Sequence, residues 1–115
     1  MFKKVSNKVN TMKTHKIIDR IVKQIRETEP DAEVILYGSY ARGEETEESD
    51  IDLLILLDKD EVSFKDEKKI SWPLYDIEFE TGFIISPYVV GKKKWHTKHS
   101  ITPFYDNVMK EGVRL

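Results

Sequence analysis

The chain has 115 residues, of which 39% are hydrophobic and 35% charged, and its formal net charge is −2. This length suits one domain with a single core, and the absence of a net basic charge counts against a nucleic-acid partner. The sequence contains no cysteine, which excludes a disulfide framework, a thiolate zinc site and a cysteine nucleophile. We find neither a membrane-length apolar run nor a signal segment, so we expect a cytoplasmic protein with no membrane partner.

The first third of the chain predicts a lead-in, a helix and a strand. Residues 1–13 are polar without a clear period, and we interpret them as a flexible lead-in, or a short extra turn, before a domain spanning 14–115. The domain opens with isoleucines and valines at helical spacing, which predict an amphipathic helix that ends before Pro30. The segment AEVILYG, residues 32–38, then predicts a short β-strand.

A second strand is predicted for DIDLLILL, residues 50–57. Side chains alternate along a strand, so Asp50 and Asp52 should share one face while Ile51 lies on the other. From Leu53 onward both faces are apolar, which indicates an interior strand that is covered on both sides.

The next elements are a connection, a helix and an edge strand. Residues 58–70 are a charged connection, and residues 71–82 favour a helix with Pro73 in its first turn. FIISPYVV, residues 83–90, predicts a third strand, and Pro87 within it favours an edge position. We expect the aromatic residues of this region to lie in the core: Trp72, Tyr75, Phe79 and Phe83.

The C-terminal part is predicted to contain a basic link and one helix. Residues 91–99 form the link, which is either a solvated loop with Trp95 packed inward or a binding segment for a nucleic acid backbone or an acidic partner. Thr102 as N-cap and Pro103 after it predict the start of the helix, and Gly112 its end. The order helix, strand, strand, helix, strand, helix indicates an α/β (α+β) domain: a small mixed β-sheet with flanking helices.

Asp50 and Asp52 pose a question of charge, since they should lie roughly 6.5–7 Å apart on one strand face. Two like charges at this separation repel each other unless a cation lies between or beside them. Mg²⁺ prefers carboxylate oxygens and keeps positions open for substrate phosphates. The pair therefore predicts a metal site, and the alternative is a strand end that stays hydrated.

Gly38 and Ser39 directly follow the first predicted strand. A glycine here lets the backbone turn tightly and lets a phosphate approach closely. The segment SYAR, residues 39–42, can open a short helix whose first N–H groups point at that phosphate. Arg42 has two interpretations, because it could bind the phosphate or pair with the acidic link at residues 44–48.

The motif GSYARG, followed after an acidic link by SDIDLLI, resembles the signature of the polymerase-β-like nucleotidyltransferases, specifically their minimal nucleotidyltransferase (MNT) type. The resemblance implies that Gly38 and Ser39, assisted by Arg42, bind the phosphates of an NTP, for which we expect ATP. It also implies that Asp50 and Asp52 are catalytic and hold Mg²⁺, in a site that could take two metal ions.

That family carries a third carboxylate on the following strand, which completes the second metal site. In this chain Ser86 occupies the corresponding position. The candidate replacement is Glu80, which we take as the third catalytic residue, followed by Asp76. The alternative is that these acids form a solvated helix face. Tyr40, beside the glycine-serine turn, should either stack on a base or pack inward.

The resemblance leads to two functional hypotheses. The first is an Mg²⁺-dependent nucleotidyltransferase that moves a nucleotidyl group, AMP by expectation, from an NTP to a hydroxyl acceptor. The second is a catalytically weak or inactive MNT-type antitoxin that neutralises a small helical HEPN-type partner, because proteins of this minimal type often act beside one.

Overall fold

A computed structural model describes residues 12–115. The helices are α1 Met12–Thr28, α2 Ser39–Arg42, α3 Phe64–Thr81, α4 Lys92–Thr97 and α5 Pro103–Glu111, with a 3₁₀ turn at His99–Ile101 between the last two. The strands are β1 Glu33–Tyr37, β2 Ile51–Leu57, β3 Ile85–Gly91 and β4 Val113–Arg114. The predicted lead-in lies outside the described residues, except that α1 already begins at Met12.

The four strands form one mixed sheet in the order β3-β2-β1-β4. β1 runs antiparallel to β2 and to β4, whereas β2 and β3 are parallel and are joined through α3. The interior position predicted for β2 is confirmed, and so is the edge position of β3. The predicted class, a small mixed sheet with flanking helices, is therefore correct.

Apolar side chains pack on both faces of the sheet. On the first face, residues of α1 and α3 pack with every second residue of β2: Ile51, Leu53, Ile55 and Leu57. On the second face, Leu54 and Leu56 pack with Trp95 of α4 and Val108 of α5. Because side chains alternate, Asp52 lies on this second face of the sheet, at the N-terminal end of β2.

Helix α3 begins at Phe64, so the charged connection predicted for residues 58–70 is wrong from that residue onward. Ser63 starts the helix with a capping box, in which its Oγ accepts from the Asp66 N–H at 3.1 Å and Asp66 accepts from the Ser63 N–H at 3.0 Å. Pro73 lies in the helix interior rather than in the first turn. Core packing of Leu74 and Ile77 carries the helix past the proline.

The predicted core position is wrong for Trp72, Tyr75 and Phe79, which are exposed. They lie on one side of α3, whereas Ile70, Leu74 and Ile77 of the same helix are buried on the other. Phe83 is partly buried and packs against the first-face core. Aromatic content alone did not reveal which side of this helix faces the sheet.

The C-terminal part contains more regular structure than predicted. The basic segment forms α4 rather than a link, and Trp95 is fully buried, as the first of its two interpretations requires. Thr102 caps α5 by accepting from the Tyr105 N–H at 3.1 Å, as predicted. β4 was missed because two residues carry no recognisable period; β1 holds it in place.

Among the helices of residues 12–115, none has the length and apolar character required to span a bilayer.

Candidate active site

The two aspartates lie at one end of the strands, where the end of β1 and the starts of β2 and β3 are neighbours. Asp52 is the second residue of β2, opposite Tyr37 at the end of β1 and beside Ser86 near the start of β3. Asp52 is half-buried, whereas Asp50, which precedes the strand, is exposed. Both aspartates therefore lie at an accessible strand end, close enough for the charge of Asp50 to act on Asp52.

Gly38 follows β1 and lies directly against Asp52. Its φ of 75° and ψ of −154° belong to a region that side-chain-bearing residues rarely adopt. A Cβ at this position would overlap Asp52 Oδ2 and would lie 3.2 Å from Asp52 Cγ. Only glycine therefore allows the backbone of the turn to approach the carboxylate this closely.

The turn continues directly into α2. The Gly38 carbonyl accepts from the N–H groups of Ala41 and Arg42, both at 3.1 Å, so SYAR forms the short helix predicted for it. Gly43 ends the helix in a left-handed conformation, with φ of 72°. Tyr40 of this helix is buried in the first-face core, which confirms the packed ring.

The pKa of Asp52 is raised above the ordinary value for an aspartate. Partial burial of the carboxylate is the largest cause, the charge of Asp50 is the second, and the positive charge of Arg42 opposes both. The negative charges of the two ionised aspartates are therefore not fully balanced by Arg42. A cation bound between or beside them would reduce their repulsion.

Arg42 is held by two glutamates. Its Nε donates to Glu44 Oε1 at 2.6 Å, and its Nη1 donates to Glu111 Oε2 at 3.1 Å. The pairing with the acidic link is thus confirmed, and the contact with Glu111 of α5 is an addition that the sequence did not reveal. Because Arg42 also lowers the pKa of Asp52, its charge acts on the aspartate site.

Residues 18–113 match the protein family described as "Nucleotidyltransferase domain". The chain belongs to this family. It is a nucleotidyltransferase of the polymerase-β-like kind, as the glycine-serine turn and the two aspartates predicted. The match covers α1 from Ile18 and all four strands except the last residue of β4.

Two relatives from Methanocaldococcus jannaschii support this assignment. One, named "Putative protein adenylyltransferase MJ0141", is 38% identical over 82 residues, which cover 71% of this chain and 76% of the relative. The other, named "Putative protein adenylyltransferase MJ0604", is 38% identical over 79 residues, which cover 69% of this chain and 72% of the relative. No solved structure matches the chain significantly.

The residue beside Asp52 on the neighbouring strand is not acidic. Ser86, which the family resemblance placed at the third carboxylate's position, pairs with Asp52 in the parallel register of β2 and β3. Glu80 lies on α3, which covers the opposite face of the sheet from Asp52, and it accepts from Arg20 Nη2 at 2.6 Å. The structure therefore does not bring Glu80 to the aspartates, and its catalytic role stays a prediction.

Asp50 and Asp52 are better suited to a hard divalent cation that keeps several water ligands than to a metal site made only of protein side chains. Within residues 12–115 no group of three or more histidine, cysteine, aspartate or glutamate side chains is arranged to hold a metal ion. Mg²⁺ commonly takes one or two carboxylates and completes its shell with water and substrate phosphates. Asp50 and Asp52 supply that number of carboxylates, at a site that carries uncompensated negative charge.

A cavity of about 240 Å³ adjoins the turn of the nucleotidyltransferase. It lies between the end of β1 and α5, and its lining consists of Tyr37, Gly38, Arg42, Phe104, Asn107, Val108 and Glu111. Phe104 packs edge-on against Tyr37, with ring centroids 5.3 Å apart. Sequence reasoning missed the α5 residues because no local motif links them to the distant glycine-serine turn.

Proposed function

We propose that the protein is an Mg²⁺-dependent adenylyltransferase that moves AMP from ATP to a hydroxyl group of another protein. The observation that carries the proposal is the contact of Gly38 with Asp52, because it joins a tight glycine turn to a paired-carboxylate site. Both relatives carry the name "Putative protein adenylyltransferase", which supports the choice of AMP and of a protein acceptor.

Each residue of the site has a proposed task. Asp50 and Asp52 hold Mg²⁺, which when bound would offset the charge of the triphosphate and of the carboxylates. The backbone of Gly38 and the hydroxyl of Ser39 contact the phosphates, since the absence of a side chain at Gly38 keeps this approach open. Arg42 adds a positive charge beside them.

The position of the aspartates suits a large acceptor. Asp50 is exposed, and β3 is an edge strand, so the side chain of a second protein can reach this end of the sheet. In the proposed reaction the acceptor oxygen forms a bond to the α-phosphorus of ATP. The bond to the pyrophosphate oxygen breaks, and the hydroxyl proton passes to water at the exposed side of the site.

The cavity beside Arg42 is the proposed place for the nucleoside part of ATP. Phe104 and Tyr37 give it an aromatic wall, and Asn107 adds an amide that can donate and accept hydrogen bonds. The volume of about 240 Å³ is small, so part of the nucleoside would remain exposed to solvent.

A transfer assay with ATP labelled at either the α- or the γ-phosphate tests the proposal. We expect protein-bound label from α-labelled ATP only, dependent on Mg²⁺ and lost when Asp50→Asn and Asp52→Asn are combined. Calorimetry with Mg²⁺ and ATP provides a readout that needs no acceptor. Equal nucleotide affinity of the wild type and the double variant would rule out the proposed site, and γ-label in the product would indicate a kinase instead.

One observation favours a second candidate function, an antitoxin of low activity that neutralises a small helical HEPN-type protein. Ser86 stands where the family's third carboxylate would lie, so the site lacks a group that helps activate the acceptor. The same assay separates the candidates when a co-purified partner is present. A labelled partner supports the transferase, whereas a tight complex that never becomes labelled supports the antitoxin.

A further inference from the structure

An aromatic stripe runs along the solvent side of α3. It consists of Phe64, Lys68, Trp72, Tyr75 and Phe79, which recur every three or four residues and therefore lie on one side of the helix. Over these residues the helix rises by about 22 Å. The stripe faces away from the buried residues of α3 and lies across the sheet from Asp52, so it is separate from the active site.

The rings of the stripe are open to solvent. Phe64 is 72% exposed, Trp72 61%, Tyr75 46% and Phe79 92%. Lys68 Nζ lies over two of them, 4.6 Å from the ring centroid of Phe64 and 5.1 Å from that of Trp72. Tyrosine, tryptophan and phenylalanine are enriched in protein interfaces, and contiguous exposed apolar surface marks interaction sites.

Charges along one flank of the stripe indicate what covers it. Lys65, Lys69, Asp76 and Glu80 fall on the same side of the stripe when residues are placed at the α-helical period. The two lysines lie in the N-terminal half of α3 and the two acids in the C-terminal half. The midpoint between residues 65 and 80 falls between Trp72 and Pro73, and so does the midpoint between residues 69 and 76. The four charges are therefore placed symmetrically about this point of the helix.

We propose that the aromatic stripe is the interface of a two-fold symmetric dimer, in which α3 packs antiparallel against α3 of a second copy. A two-fold axis near Trp72 brings Lys65 opposite Glu80 of the second copy, and Lys69 opposite Asp76 of the second copy. In an antiparallel helix pair the same flanks face each other, so these four charge pairs are attractive. Glu80 also pairs with Arg20 of its own chain, and 57% of its side chain is exposed. On the other flank the same register sets Glu67 opposite Glu78 of the second copy, but Glu78 is directed towards the sheet, where its Oε2 accepts from the Ile85 N–H at 2.7 Å. A two-fold interface must be self-complementary in this way, whereas an interface with a different protein has no such requirement.

Charge reversal tests this arrangement, with light scattering after size exclusion as the measurement. We expect the wild-type chain to be a dimer, and both the Lys65→Glu/Lys69→Glu variant and the Asp76→Lys/Glu80→Lys variant to be monomers. An equimolar mixture of the two variants should form a dimer again, because every pair across the axis then joins opposite charges. Restoration by mixing also shows that the variants are folded.

Two matched controls complete the test. Lys93→Glu/Lys94→Glu reverses two exposed lysines on α4, and Ile101→Asp changes an equally exposed apolar residue outside α3; both should leave the dimer intact. Phe79→Asp should abolish it. A monomeric wild type, a dimer that survives both charge reversals, or a mixture that stays monomeric would each overturn the proposal. None of these readouts depends on nucleotide transfer, so the outcome is independent of the proposed function.

Discussion

The α-carbon of Gly38 packs against the carboxylate of Asp52, although the two residues belong to different strand ends separated by α2 and an acidic link. The antiparallel register of β1 and β2, in which Tyr37 pairs with Asp52, creates this contact. The phosphate-binding turn and the metal-binding strand proposed for this enzyme are therefore held together by the pairing of β1 with β2.

Substitution of Gly38 by alanine should abolish nucleotide binding. The added Cβ would overlap Asp52 Oδ2, so the turn and the carboxylate would have to separate. Gly43→Ala is the matched control, because Gly43 has nearly the same φ, 72° against 75°, but no atom within 4 Å of its Cβ position. Gly43→Ala should lose about 1 kcal/mol of stability from its left-handed conformation, and Gly38→Ala should lose more, because its ψ of −154° belongs to a region that is open almost only to glycine. Only Gly38→Ala should lose binding by calorimetry; equal loss in both would show that backbone strain alone is responsible.

Replacement of Asp52 by asparagine should remove nucleotide binding without lowering stability at neutral pH. The pKa of Asp52 is higher in the folded protein than in the unfolded chain, so protonation of Asp52 stabilises the fold. This stabilisation is lost as the pH rises from the ordinary aspartate pKa through the pKa of Asp52 in the folded protein. In metal-free buffer at pH ~7 the ionised carboxylate destabilises the wild type, and Asp52→Asn should melt at the same or a higher temperature.

The stability difference between wild type and Asp52→Asn should shrink as the pH is lowered, because the wild-type carboxyl group then becomes neutral as well. Thermal melts at several pH values check this, and Asp58→Asn, an exposed aspartate directly after β2, serves as the control. A lower melting temperature for Asp52→Asn at every pH would contradict the electrostatic argument.

Arg42→Ala should weaken ATP binding by about tenfold, as expected for the loss of one charge-assisted contact to phosphate. Its melting temperature should change little, because the ion pairs that it loses are exposed and screened by solvent. Glu111→Gln removes the negative charge that faces Arg42 from α5 and leaves the arginine in place, so its affinity for ATP should not fall. A similar loss of affinity in both variants would instead assign Arg42 to holding α5 in position.

Ser86→Asp should strengthen binding of divalent metal by about tenfold, because affinity rises with the number of charged ligands. Ser86 is the residue that β3 places beside Asp52, so an acid there joins the existing pair. Ser86→Asn, similar in size but uncharged, should have no such effect.

Glu80→Gln should leave metal binding unchanged, since Glu80 pairs with Arg20. Weaker metal binding in this variant would restore Glu80 as a candidate ligand.

Tyr37 should be among the last tyrosines of the protein to ionise. Burial, followed by the charge of Asp52 and the neighbouring Tyr88, raises its pKa to about 12. The neutral phenol therefore favours folding, and this contribution is lost as pH rises from about 10, the ordinary tyrosine value, towards the folded value. Ultraviolet titration of the phenolates should show a late step that is absent from Tyr37→Phe and occurs at lower pH in Asp52→Asn.

Local sequence determined the elements that carry the active site. The isoleucine and valine pattern of α1, the run of β2 and the glycine-serine turn each follow from propensities within a few residues. The strand period also predicts a shared face for Asp50 and Asp52, but the structure begins β2 at Ile51, so this remains a prediction for Asp50. The helix start at Ser63 was not predicted, although a serine three residues before an acid is a sequence signature of a capping box.

Only the tertiary structure decided which of these parts meet. The register that sets Asp52 beside Ser86 and against Gly38, and the contact of Arg42 with Glu111, join residues that no local pattern connects. The period of α3 likewise shows that its aromatic residues share a side, but not that this side faces solvent. The reason is physical: a repeat specifies which side chains lie together, whereas burial depends on which surfaces of the remaining chain are available to cover them.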